Sequence, residues 1–517
     1  MPAVKDSTLL DPQATPSTDH PRVDEAPRNP DSRRLHLRIV IISVAIGVVL
    51  RLVQYLHHTS YWNDEAALVM NILHRGFADL LRPLDFAQAA PPLFLWLERL
   101  IYRAGGSSEF VLRALPVLMG LVALPCFALL AWRLLRPSAA AWAVAWYAIN
   151  DRIIPQVTEV KQYSADLLFS TLLLLAAFGP RRATPARRLA LISLVASVGI
   201  WFSFTTAIVF AGIALALLPQ LIRRPRGLFA CIACMILALL SAALLAHVIL
   251  AHPHDPYLDE FWADHFADLH HPATWFAGAL FELGDYPFAS FGVLVLLIAA
   301  LGAWTLAKEG NKTVVAAAVL TLTLAVAMSA ARLYPFGGQR ITLYLFPLLF
   351  LLMGAGARPW RDGSTRWYAR AWWVLPAPLL ITAATQCTNH TVRPVARSNI
   401  RPVAQYVLQH RMPSQTIFLA GGGVLPQTRV SGRNIEFLCY WPGPEDNISR
   451  TMIDPRQIKS EEFWVVYTTI STDKLAPLDH LFQQLQAVAE PTDKFTTGPA
   501  GAVLYRLRKS PATHRVP

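Results

Sequence analysis

Apolar runs alternate with short polar links from residue 35 to about residue 385, and each run reads as a helix in or across a membrane. The first run covers residues 35–56. A shorter one, residues 91–103, contains Glu98, Arg99 and Arg103 and suits a helix lying in the membrane interface. Further runs cover 110–132, 139–149, 163–178, 189–222, 228–250, 288–307, 314–331, 341–356 and 371–385. The 189–222 run is long enough for two helices, with a polar break at Ser203-Phe204-Thr205-Thr206. With the interfacial helix left out, the plan has about eleven spans.

The links carry the orientation. Arg33, Arg34 and Arg38 open the first run, and links 133–136, 181–188, 223–226, 308–312 and 358–370 are basic. Residues 252–287 hold seven acids and no Lys or Arg. Basic links stay on the cytoplasmic side, so the amino terminus is expected inside and the acidic stretch outside. Counting residues 91–103 as a span would turn every basic link outward.

The pattern changes at about residue 391. A helix over 400–409, strands over 416–420 and 463–468, a helix over 475–490 and a strand over 502–507 describe a small α/β domain. The expected division is a disordered cytoplasmic tail, 1–34, a transmembrane catalytic domain, 35–390, and a periplasmic α/β domain, 391–510.

Composition supports a polytopic membrane protein: 54% of the 517 residues are hydrophobic, and the mean hydropathy is +0.37. The net charge of +12 sits between apolar runs and not in one patch, which speaks against a nucleic-acid partner. Five cysteines form no disulfide framework, and the pair Cys231 and Cys234 falls inside an apolar run. Gly421-Gly422-Gly423 follows an expected strand, but no phosphate-loop pattern surrounds it, so it reads as a turn.

Polar residues gather at one side of this plan. The first outer loop contains Tyr61-Trp62-Asn63-Asp64-Glu65. The next contains Glu159-Val160-Lys161-Gln162-Tyr163-Ser164, and another runs from Tyr334 to Arg340. Lys161, Arg340 and Arg113 stand at the outer ends of apolar helices, where such cations often only snorkel to headgroups. Converging with acids beside lipid, they instead suit sugar transfer from a polyprenyl phosphate. The prenyl tail needs the bilayer, the phosphate needs cations, and the attacking hydroxyl needs a carboxylate to take its proton. No nucleotide site is needed.

These segments, with Pro91-Pro92-Leu93 and Ser108-Glu109-Phe110-Val111-Leu112-Arg113, resemble the GT-C class of integral-membrane glycosyltransferases. The likeness is to the bacterial relatives of protein O-mannosyltransferases and to the lipid A aminoarabinose transferases. The resemblance implies an inverting transfer with Asp64 as base and Glu65 beside it in the catalytic pair. It implies Lys161, Arg340 and Arg113 as donor-phosphate contacts, with Glu159 and Tyr163 shaping the sugar pocket. Ala90 departs from the class, whose members often carry His or Lys before the Pro-Pro pair. That shifts the phosphate to Lys161 and Arg340. No cofactor is required. Some relatives bind a divalent metal, for which Asp264 and His265 are the candidate ligands in a loop that also holds His252, His254, His270 and His271. That spacing matches no H-E-x-x-H pattern. Residues 261–275 alternate acids and aromatics and suit an amphipathic lid.

The expected partners are a polyprenyl-phosphate-linked sugar, membrane lipids and an acceptor lipid, glycan or protein, at the periplasmic side of a bacterial inner membrane. The rival is a transporter or lipid flippase. It calls for paired halves and charged groups at the bilayer midplane, and the sequence displays neither.

Overall fold

The computed structural model describes residues 30–57, 59–85, 88–179, 183–222, 228–250, 262–357, 374–392, 401–412, 415–420, 461–468, 476–497 and 500–508. Helices α1 (Pro30–Leu56), α2 (Asn63–His74), α3 (Pro92–Gly105), α4 (Glu109–Leu134), α5 (Pro137–Ile149) and α6 (Ile153–Gln156) come first. Then follow α7 (Tyr163–Phe178), α8 (Pro185–Gly199), α9 (Thr206–Ile222), α10 (Leu228–Leu250), α11 (Pro272–Asp285), α12 (Gly292–Lys308), α13 (Lys312–Ala330) and α14 (Phe346–Gly356). A further helix, α15 (Ala377–Val392), leads toward the carboxy-terminal part.

Among the described residues α1, α4 and α13 are long and apolar enough to cross a membrane, and shorter apolar helices pack with them. The chain is a multi-pass membrane protein. In α1 the buried residues are Val40, Ser43, Gly47 and Arg51, three or four apart and so on one stripe. That stripe packs on α5, while most other apolar side chains of α1 stay exposed. Arg51 is fully buried, and its Nη1 donates to Gly47 O at 2.8 Å and to Ala148 O at 2.9 Å. The second bond reaches a carbonyl that the end of α5 cannot pair for itself, where a cation also suits the helix dipole. Helices α12 and α14 meet backbone to backbone: a Cβ on Gly302 would lie 1.7 Å from Leu352 O. Without a strong hydrophobic drive between helices in lipid, such close approach supplies the packing.

The expected break in the 189–222 run lies between α8 and α9. It is held by the Ser203 and Thr205 hydroxyls, which donate to Asp166 Oδ1 of α7 at 2.6 and 3.2 Å. The run expected from residue 341 starts as a 3-10 segment, Arg340–Leu345, before α14.

The carboxy-terminal part is a four-stranded sheet, β1 (Thr416–Ala420), β2 (Glu462–Thr468), β3 (Ala489–Thr497) and β4 (Ala500–Leu507), in the order β1-β2-β4-β3. Strands β1 and β2 are parallel and the other pairs antiparallel. Alternation sorts the faces. Phe463, Val465 and Tyr505 pack toward α17 (Ala476–Val488), and Trp464, Val466 and Ala502 toward α16 (Arg401–His410).

Three expectations are corrected. Asp64 and Glu65 lie not in a loop but in the first turn of α2. The expected lid is not one amphipathic element: residues 263–265 form a single 3-10 turn, and α11 begins only at Pro272, a residue suited to the first helical position. The expected helix to residue 490 stops at Val488, and the chain turns into β3, a strand hidden in the sequence by Pro491. That proline sits at a register shift in the edge strand, a position where proline is tolerated. The basic links 223–226 and 358–370, His252, His254, Gly421-Gly422-Gly423, most of the expected tail and the side chains of Cys231 and Cys234 lie outside the described residues.

Candidate active site

Three segments far apart in sequence meet at Asp64. The first is the amino-terminal turn of α2, where a carboxylate suits the positive end of the helix dipole. Helix α2 is held at both ends. Tyr61 OH donates to Ser107 O at 3.2 Å, and Arg99 Nη1 donates to Ile72 O and Leu73 O at 2.6 and 2.8 Å, capping the far end.

The second segment is the turn between α6 and α7. Asn150 Oδ1 accepts from the backbone N–H of Arg152 and Ile153 at 3.1 and 3.2 Å and starts the short α6. Thr158 Oγ1 donates to Pro155 O at 2.8 Å, and Val160 N donates to Glu65 Oε1 at 2.9 Å. The turn so fixed points Lys161 at Asp64.

The third segment is the loop from Tyr334 to Arg340. Phe336 N donates to His265 O at 2.8 Å, Gly338 N to Glu282 Oε2 at 3.2 Å, and Thr342 Oγ1 to Gly337 O at 2.9 Å. The loop runs so close to α11 that a Cβ on Gly338 would fall 2.3 Å from Glu282 O, hence the glycine.

At the meeting point Lys161 Nζ lies 3.0 Å from Asp64 Oδ1, and Arg340 Nη2 lies 2.6 Å from Asp64 Oδ2. Gln88 joins them, donating to Asp64 Oδ1 at 3.1 Å and accepting from Lys161 Nζ. The guanidinium of Arg340 is 4.8 Å from the centre of the Trp62 ring and 5.8 Å from that of Tyr163, so two aromatics flank it. Its Nε–H is buried and has no hydrogen-bond partner among the described residues. Glu159 is buried nearby, close enough to act electrostatically on Lys161 and Arg340. Burial alone would raise the pKa of Asp64. The charges of Lys161 and Arg340, with hydrogen bonds from Lys161 and Gln88, outweigh it and hold the carboxyl well below the usual range. Asp64 is one-fifth exposed and Lys161 almost wholly covered, so the carboxylate forms the open side of the cluster.

Glu65 and Arg113 form a separate, closed unit. Arg113 Nε and Nη2 grip the two oxygens of Glu65 at 2.7 and 2.6 Å. The remaining N–H groups of Arg113 reach Thr59 O, Thr59 Oγ1 and Ser60 O. Every donor of Arg113 is thus directed into the fold, and Glu65 is fully buried. Neighbours in sequence, Asp64 and Glu65 serve different units because consecutive residues of a helix point about 100° apart. The bonds of Arg113 thus run to Glu65, Thr59 and Ser60, and those of Glu65 to Arg113 and Val160 N.

His265 and Asp264 occupy one 3-10 turn, and His265 packs against Gly337 and the ring of Trp262. Among the described residues no group of three or more His, Cys, Asp or Glu side chains converges. Ala90, buried beside α3, offers no polar atom in place of the class's His or Lys. Gln88 is the member that sequence reasoning missed. An uncharged amide two residues before Ala90 carries no signal of its own.

No family model and no curated protein matches the chain. Solved structures do. ArnT from Cupriavidus metallidurans bound to undecaprenyl phosphate aligns with a TM-score of 0.51 at 13% identity, over 90% of this chain and 97% of that one. The apo state of the same protein aligns at 0.49 with 14% identity over the same shares. The archaeal oligosaccharyltransferase AglB from Archaeoglobus fulgidus, in complex with an inhibitory peptide and a dolichol-phosphate, aligns at 0.45 with 13% identity, over 94% of this chain and 75% of that one. The chain has the fold of that ArnT structure.

Proposed function

We propose that the protein is an inverting glycosyltransferase. It moves a sugar from a polyprenyl-phosphate donor to a lipid, glycan or protein at the periplasmic side of a bacterial inner membrane. The observation that carries this reading is the side-chain cluster in which Asp64 meets both Lys161, at 3.0 Å, and Arg340, at 2.6 Å. The ArnT structure of like fold was solved with undecaprenyl phosphate bound, which supports a prenyl phosphate as the group that such a cluster receives.

In this mechanism an Asp64 oxygen accepts the proton of the acceptor hydroxyl while the acceptor oxygen attacks the anomeric carbon. The bond from that carbon to the phosphate oxygen breaks, its electron pair leaves with the phosphate, and configuration inverts once. Lys161 and Arg340 stabilise the charge gathering on the departing phosphate. Glu159 and Tyr163 flank the sugar. Residues 35–390 form the catalytic domain in this reading, and residues 391–510 face the periplasm.

The test is transfer by purified protein supplied with a polyprenyl-phosphate sugar. Loss of a general base is expected to slow Asp64→Asn by about 10²–10⁴-fold. Transfer at the wild-type rate would remove Asp64 from the mechanism.

A further inference from the structure

The two cations that would receive the donor phosphate are already engaged. Lys161 and Arg340 both bond Asp64, the group that must take the acceptor proton. A carboxylate held by two cations is a poor base, because each bond favours its charged form. The pocket also has no surplus of positive charge to offer. Asp64 and Glu159 balance Lys161 and Arg340, and Arg113 directs every N–H to Glu65, Thr59 and Ser60.

We propose that the phosphate of the donor displaces Asp64 from Lys161 and Arg340, so that the donor frees the base its own transfer requires. This rests on the transferase reading of the same pocket.

The two arginines differ in the way this exchange needs. Arg113 grips Glu65 through both Nε and Nη2, a closed bidentate pair at 2.7 and 2.6 Å. Arg340 uses the same edge only by half: Nη2 bonds Asp64 at 2.6 Å, while its Nε–H is buried without a partner among the described residues. A phosphate presents several oxygens and can take Nε and Nη2 together, which one oxygen of Asp64 does not. The exchange therefore replaces one bond at Arg340 by two. Gln88 bonds both Asp64 and Lys161, so it can keep the released carboxylate in place at the mouth of the pocket. A pocket without donor then holds no free base, and acceptor alone is not activated.

The test measures binding of farnesyl phosphate to the full-length protein in detergent. If Asp64 competes for the two cations, Asp64→Asn is expected to bind farnesyl phosphate about tenfold more tightly, as one charge-assisted bond is worth. In an Arg340→Met background that gain is expected to shrink, because only Lys161 remains a shared donor. Affinity that Asp64→Asn leaves unchanged or weakens overturns the exchange. So does an equal gain with and without Arg340, which would mean simple repulsion between carboxylate and phosphate. Should Asp64→Asn lose the wild-type melting transition, Asp64→Ala makes the same prediction without adding amide donors beside the cations. The reading beneath fails separately. If Arg340→Met and Lys161→Met bind farnesyl phosphate as wild type does, the pocket is not the phosphate site. If Asp64→Asn loses transfer but binds unchanged, the transferase stands and the exchange falls.

Discussion

At the scale of the residue, environment decides what each of several acids does. Asp64 is kept charged by two cations, and Glu65 is locked by one arginine. Glu98, on α3, is fully buried, and neither oxygen has a hydrogen-bond partner among the described residues. Burial, with the Glu65 carboxylate nearby, pushes its pKa well above the ordinary value. The sign of the effect on stability follows. The folded chain keeps a proton that the unfolded chain releases once the pH exceeds about 4.3, so folding bears a cost that grows as pH rises. Glu98→Gln removes the ionisation. At neutral pH it is expected to raise the melting temperature by about 2 °C, with the advantage shrinking toward pH 4. Parallel melting curves for the two proteins from pH 4 to 8 would show that Glu98 ionises freely in the fold.

At the scale of the element, the buried pair Arg113–Glu65 stitches the start of α4 to the first turn of α2. Val160 N, donating to Oε1 of the same Glu65 carboxylate, adds the turn that carries Lys161. The pair therefore sets the distance between Asp64 and Lys161 without entering the cluster. Arg113→Met leaves a buried carboxylate uncompensated and is expected to cost about 3–5 kcal/mol of stability. Thermal melts in detergent, read beside farnesyl phosphate affinity, check the assignment. A direct phosphate contact would instead lose affinity with little change in melting. The elements show equally where pattern reading stops. Periodicity located α2 only as polar residues after a span, because a 12-residue helix with two acids in its first turn resembles a loop when read locally. It missed β3, whose Pro491 and alternating polar residues belong to an exposed edge.

At the scale of the whole molecule, the proposed orientation places the acidic stretch around residues 262–287 outside. His270 is exposed and lies on it. A cysteine introduced as His270→Cys is expected to react with an impermeant maleimide added to intact spheroplasts. Labelling only after lysis would invert the plan and put the pocket on the other face. The sequence by itself determined the membrane class, the order of the helices, the break at residues 203–206 and the candidate residues Asp64, Lys161 and Arg340. Each is written locally, as run length, polarity or a short motif that a single segment carries. Only the tertiary structure decided that Asp64 faces the cations while Glu65 faces Arg113, that Arg340 keeps an Nε–H in reserve, and that Gln88 bridges the cluster. Those facts depend on how α2, the turn before α7 and the loop before α14 approach one another, and no single segment records that approach.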